Sequence, residues 1–217
     1  MTTFFQNCLT NIDMTKPTPL CLIMGRNKSN KGNLNIIKSH HNYTIFYYHT
    51  FINLKKDKIR IFELGLENMN PNSKPGASLY AWADFFPNSK IFGADIDKNI
   101  LFKTDRIETF FCDKTDKTSI QVLWNKPSLE EHFDIIIDNG IHNFNANVCF
   151  FENSIHKLKV NGFYIIENIH VDQKKNFENK LIDWRKKYTN CYFEMTKIPS
   201  TVNFLDNNLL IIWRAAI

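Results

Sequence analysis

The sequence predicts an α/β fold: a mostly parallel, Rossmann-like open sheet of seven strands, with an antiparallel C-terminal strand and an N-terminal helical cap. Three observations predict it. From Lys58 onward, short apolar runs alternate with longer mixed segments. The strand-like runs are nearly continuously apolar, as expected of a parallel sheet covered on both faces. The rhythm breaks only near the C-terminus, where two strands follow each other with no helix between them.

Ile59-Arg-Ile-Phe-Glu-Leu64 reads as a buried strand stopped at Gly65. Ser78–Phe86 has helical apolar spacing and ends at Pro87. Lys90–Asp95, Glu108–Cys112 and Phe133–Asp138 read as the next three strands, Asn145–Lys157 as a helix and Gly162–Glu167 as the fifth strand. A charged helix over Gln173–Tyr188 precedes strands Cys191–Ile198 and Asn208–Trp213. The linker between these two is nine residues long. A parallel crossover needs about a dozen or more, so the last pair must run antiparallel. Upstream, Ile36–Leu54 is rich in His, Tyr and Phe, with helical spacing through Tyr43, Tyr47 and Phe51. Residues 1–57 are read as a cap over the ligand crevice of one compact unit, 58–217.

Composition narrows the class. At 217 residues and 43% hydrophobic, the chain suits one domain with a substantial core, which excludes a disordered protein. Lys and Arg number 27 against 22 Asp and Glu, and the excess is scattered through groups such as Arg185–Lys187. Scattered charge is a solvated face rather than a nucleic-acid stripe, though it favours an anionic substrate. Five cysteines without a CxxC pair point away from structural zinc or a disulfide framework and toward a reducing cytoplasm. There is no basic-then-apolar N-terminal pattern, and no apolar run nears the ~18 residues of a membrane span.

In open α/β sheets the ligand lies beyond the carboxyl ends of the strands, where strand order reverses. That rule selects Glu63-Leu64-Gly65, Asp95-Ile96-Asp97, Cys112-Asp113 and Asp138-Asn139-Gly140. Gly65 would let backbone approach a ligand, and Glu63 could face a cationic amino group. Asp95 stands where an acid commonly accepts hydrogen bonds from ribose hydroxyls. Asp113 can reach an adenine amino group. A dinucleotide site would show G-x-G-x-x-G, but Gly65 is followed by Leu66-Glu67-Asn68-Met69 and the next glycine is Gly76. S-adenosylmethionine (SAM) has no phosphate and needs no such nest. It is the expected cofactor.

The residues Phe62-Glu-Leu-Gly65, Gly76-Ala-Ser-Leu79, Phe86-Pro87, Ile91-Phe-Gly-Ala-Asp-Ile96, Asp134-Ile-Ile-Ile-Asp-Asn-Gly-Ile-His142 and Gly162-Phe-Tyr-Ile-Ile-Glu-Asn168 resemble the metal-dependent sugar O-methyltransferases, within the class I methyltransferases. Asn30-Lys-Gly32 and His41-Asn-Tyr-Thr44 with Tyr47 resemble that family's D-K-G…H-x-Y-T-x-x-Y cap. The resemblance covers roughly 31–213. It implies that Tyr43, Glu63, Gly65, Ser78, Asp95, Asp113 and Asp138 serve SAM. It also implies that His142 is the general base and that Asn139, Glu167 and Asn168 occupy the Mg²⁺ positions. The family has D-D-G-x-H and E-D there, so two of three metal carboxylates have become amides in this chain. Mg²⁺ prefers charged oxygens, and two of those charges are missing.

The expected activity is O-methylation of a sugar or glycan-precursor hydroxyl. A variant takes an anionic, phosphate- or phosphoramidate-type oxygen of a cell-surface polysaccharide precursor, which needs no metal to be nucleophilic. The competing reading is a non-catalytic SAM- or S-adenosylhomocysteine (SAH)-binding partner subunit. The expected partner is a small-molecule or glycan-precursor substrate, not nucleic acid, and self-association into a homo-oligomer is left open. His170, just beyond Glu167-Asn168, is a second candidate base.

Overall fold

The structure is a computed structural model and describes residues 4–32, 35, 41–66 and 74–216. Two expectations lie partly outside these residues: the start of the cap segment at Ile36–His40, and the Glu67-Asn68-Met69 loop.

Seven strands form one sheet: β1 (Arg60–Leu64), β2 (Lys90–Asp95), β3 (Ile107–Phe111), β4 (Phe133–Asp138), β5 (Leu158–Ile166), β6 (Cys191–Lys197) and β7 (Asn208–Arg214), in the order β3-β2-β1-β4-β5-β7-β6. β1 to β5 pair in parallel, and β7 runs antiparallel to both β5 and β6. The short linker before β7 thus gives the reversal its length dictates. Strand order switches between β1 and β4, where Leu64 sits beside Asp138, and Asp138 in turn beside Ile166.

Alternate strand residues feed two cores. Ile61, Ile91, Ile135, Ile137, Ile165 and Ile211 face one way, against α1 (Phe4–Thr10), α2 (Pro19–Arg26), α3 (Tyr43–Phe51) and α4 (Ala77–Phe85). Phe62, Phe92, Ile136, Tyr164, Ile166 and Ile212 face the other way, against α5 (Lys117–Trp124), α6 (Phe144–Ser154) and α7 (Lys174–Lys187). Side chains of this size each contribute roughly 1.5–3 kcal/mol on full burial. The sheet sandwiched between helices accounts for the near-continuous apolar runs.

The helices start where local chemistry allows. Thr18 caps α2 by accepting from the Cys21 N–H, with Pro19 at the first helical position. Asp116 caps α5 through the N–H groups of Thr118 and Ser119, and Asn143 caps α6 through those of Asn145 and Ala146. Helix α5 is absent from the sequence-based expectation, as are α1 and α2. Trp124 anchors α5: its ring lies 4.7 Å from that of Phe62, and its Nε1 donates to Ser154 Oγ at 2.9 Å. The β5 strand begins earlier than expected, at Leu158, with its register against β4 shifted between Phe133 and Ile135.

The N-terminal helices share a core with the sheet. Phe5 and Leu9 of α1, Leu20 and Met24 of α2, and Tyr43, Phe46, Tyr47 and Phe51 of α3 pack with Ile61, Ile135 and Ile165. Helix α1 is also tied to β6, the Phe5 and Gln6 N–H groups both donating to the Glu194 carboxylate. This packing carries residues 41–47 over the carboxyl end of β5.

Candidate active site

A crevice of about 580 Å³ opens beyond the ends of β1, β2 and β4, a volume that accommodates a nucleoside-sized ligand. It is lined by Gly65, Asp95, Ile96, Cys112, Asp113, Lys114 and Asn139, among others. Gly65 has φ +93°, and a Cβ there would lie 2.3 Å from the Asn139 carbonyl oxygen. The β1 and β4 ends therefore approach as closely as they do only because residue 65 is glycine. Asp95 shapes its own rim: Oδ2 accepts from the Leu66 N–H at 2.7 Å and Oδ1 from the Asp97 N–H at 3.0 Å. Asp113 Oδ1 accepts from the N–H and hydroxyl of Thr115.

The other expected cofactor residues lie behind this surface. Glu63 is fully buried; it accepts from Ser78 Oγ at 2.5 Å and Trp82 Nε1 at 2.8 Å, and the cation it faces is the Lys31 ammonium at 3.4 Å. Ser78 is thereby committed to Glu63. Tyr43 stacks on His41 (4.9 Å) and donates to the Asp206 carbonyl, while its oxygen accepts from the Asn168 N–H. Asp138 is 1% exposed; its Oδ1 accepts from Lys114 Nζ at 2.5 Å, and its Oδ2 is buried with no protein partner among the described residues. A buried carboxylate oxygen without a donor is rare, and Asp138 immediately precedes Asn139 and Gly140 of the crevice lining.

Lys114, which the sequence did not single out, organises the β4 end. Its buried ammonium donates to Asp138, to Asn147 Oδ1 at 2.6 Å and to the Ile141 carbonyl at 3.2 Å. This fixes the loop that carries His142. His142 is exposed and directly follows Ile141 of the crevice lining, and its own carbonyl accepts from Gln173 Nε2 at 2.9 Å. Partial desolvation first, and the Lys114 charge second, hold its imidazole below the usual histidine pKa, so the ring is neutral at pH 7. His170 instead caps a turn: its Nδ1 accepts from the Asp172 N–H at 3.3 Å.

The three expected metal positions do come together, around a lysine. Lys31 Nζ donates to Glu167 Oε2 and also reaches Glu63. With the Asn139 amide oriented to satisfy its neighbours, its oxygen accepts from Lys31 Nζ at 3.2 Å. Its nitrogen then donates to Glu167 Oε2 at 3.1 Å and Asn168 Oδ1 at 3.2 Å. Glu167 Oε1 accepts from the Tyr47 hydroxyl at 2.6 Å, and Asn168 Nδ2 lies 2.8 Å from His41 Nε2. Asn168 holds φ +57°, a left-handed conformation that asparagine tolerates better than most residues. Burial opposes the Lys31 charge, but the Glu167 and Glu63 carboxylates outweigh it and raise its pKa. The cap motif, His41, Tyr43 and Tyr47, thus rests on the Glu167-Asn168 end of β5.

These residues do not fit Mg²⁺. Glu167 is the only carboxylate of the three, both its oxygens are already engaged, and Asn168 is closed in by His41 and Asn139. Glu167 and Asn168 are 1% and 3% exposed, so bulk water does not reach them, whereas Mg²⁺ usually keeps several water ligands. Among the described residues, no group of three or more His, Cys, Asp or Glu side chains is arranged to hold a metal ion.

Comparison with known proteins agrees with the fold. The chain is 30% identical over 157 residues to the 8-demethyl-8-(2-methoxy-alpha-L-rhamnosyl)-tetracenomycin-C 3'-O-methyltransferase of Streptomyces olivaceus, covering 71% of this chain and 38% of that protein. It is 29% identical over 130 residues to the mycinamicin VI 2''-O-methyltransferase of Micromonospora griseorubida, covering 59% of this chain and 32% of that protein. The crystal structure of the MycE methyltransferase with Mg and SAH superposes with a TM-score of 0.70 at 21% identity, over 93% of this chain and 56% of that one. No family model matches the chain. The chain has the class I methyltransferase fold. Its homologues are sugar O-methyltransferases, and it spans about two fifths or less of the length of these curated relatives. No helix among the described residues is long and apolar enough to cross a membrane.

Proposed function

We propose that this protein transfers a methyl group from SAM to a hydroxyl of a sugar or glycan precursor. The observation that carries the reading is the juxtaposition, at one switch point, of the Gly65–Asp95–Asp113 crevice with the loop bearing His142. In this reading Asp95 accepts hydrogen bonds from the ribose hydroxyls, Asp113 from the adenine amino group, and the Oδ2 of Asp138 from the donor's ammonium. The acceptor oxygen attacks the methyl carbon in line with sulfur. The carbon–sulfur bond breaks, sulfur keeps the electron pair as SAH, and the hydroxyl proton passes to neutral His142.

The relatives named above act on sugars of tetracenomycin and mycinamicin glycosides, which supports a sugar acceptor here. The net charge of +5 extends the reading to acceptors carrying phosphate or phosphoramidate, as in a cell-surface polysaccharide precursor assembled in the cytoplasm. Incubation with methyl-labelled SAM and a panel of neutral and phosphorylated glycosides tests this. Label in one acceptor class is expected, as an ether of a hydroxyl or an ester of a phosphate-type oxygen, and the ether label should be lost with His142→Ala. Tight SAH binding with no acceptor labelled would favour a non-catalytic binding subunit instead.

A further inference from the structure

We propose that the Lys31 ammonium is the resident cation of this site, standing in the cluster that the family resemblance assigns to Mg²⁺, and that the protein binds no divalent ion there. The inference rests on the methyltransferase reading only for its activity assay; its binding assay is independent of that reading. Lys31 is 1% exposed, and its ammonium contacts Glu63, Glu167 and the amide oxygen of Asn139. Three acceptors match its three N–H donors, so the charge is fully satisfied by protein.

The amides at 139 and 168 then have a physical reason. A divalent ion among one glutamate and two aspartates would offset two of their three negative charges. A single ammonium already balances one of the two buried carboxylates, Glu63 and Glu167, and further acids would leave uncompensated charge in a dry environment. Asn139 also does what an aspartate could not: its amide nitrogen donates to Glu167 and to Asn168 while its oxygen accepts from Lys31. The lysine belongs to the D-K-G pattern that the resembling family shares; what this chain changes is the two amides, which with Lys31 form a cluster locked by hydrogen bonds. The acceptor oxygen is therefore oriented by the crevice lip and His142, not by a metal.

The test is a Mn²⁺ titration followed by electron paramagnetic resonance, with SAH present, on the wild-type protein and on Lys31→Ala. No saturable site in the wild type is expected. In Lys31→Ala, the freed Glu63 and Glu167 carboxylates should create one, at least about tenfold tighter than any wild-type signal. If Lys31→Ala is unfolded by circular dichroism without metal, recovery of the folded spectrum in Mn²⁺ is the equivalent gain. Methyl transfer, where measured, should be unchanged in EDTA. Saturable Mn²⁺ binding by the wild type that disappears in Glu167→Gln would overturn the inference, as would turnover lost in EDTA and restored by Mg²⁺. Failure of the methyltransferase reading would show separately, as absence of SAH binding.

Discussion

Lys31 and Glu167 lie 136 residues apart in sequence and meet in a buried ion pair, which ties the chain between α2 and α3 to the end of β5. Removing one partner of such a pair strands the other charge in a dry interior. Glu167→Gln and Lys31→Met should each lower unfolding stability by about 3–5 kcal/mol, and the double variant should recover much of the loss. Urea denaturation of the four proteins measures the coupling. Additive losses would mean that the two side chains do not act together.

The pH dependence of turnover follows from His142. Its imidazole must be neutral to accept a proton, and desolvation together with the Lys114 charge places its pKa below the ordinary value of 6.5. Since the neutral form is the active one, kcat/KM should be flat at neutral pH and fall only on acidification, with its limb below pH 6.5. His142→Ala should cost roughly 10²–10⁴-fold in rate. Lys114→Met removes one of the influences that lower the pKa, so the acid limb should move upward, toward 6.5. An unmoved limb would separate Lys114 from the base.

Gly65 is the backbone hinge of the crevice. Gly65→Ala forces a side chain onto φ +93° and drives a Cβ against the Asn139 carbonyl. The conformation alone should cost of order 1–3 kcal/mol, and SAH affinity should fall as β1 and β4 part. Thermal melts with and without SAH read both effects.

Trp124 supplies a contrast on the opposite core. Trp124→Ala should destabilise by about 3–5 kcal/mol, since it empties space beside Phe62, Phe133 and Phe150. The ring lies in the helix-covered core rather than in the crevice lining, so SAH affinity of the folded protein should change little.

What the sequence disclosed tracks how local the governing physics is. β4 appears at the expected Phe133–Asp138 because six residues of near-continuous burial on both faces leave an unmistakable run. The β6–β7 reversal follows from chain length alone. Helix α5 was missed although Asp116 and Ser119 mark its start, because only Ile120, Leu123 and Trp124 of its eight residues are buried. In the site, Gly65, Asp95 and Asp113 were legible as strand-end residues, and each lines the crevice. The roles of Lys31 and Lys114 were not, even though Lys31 lies within the Asn30-Lys-Gly32 motif. The motif assigns the lysine no partner, and only the fold brings two carboxylates to it. Glu63 shows the same limit from the other side. An acid facing an ammonium was expected, and the ammonium it faces belongs to Lys31.

The most direct test of the account is calorimetric titration of SAH into the wild-type protein and into Asp95→Ala at neutral pH. One saturable site is expected in the wild type, weakened about tenfold or more in Asp95→Ala as the ribose loses a charged acceptor. Absence of saturable SAH binding, or equal affinity in the two proteins, would contradict the assignment of this crevice to the methyl donor.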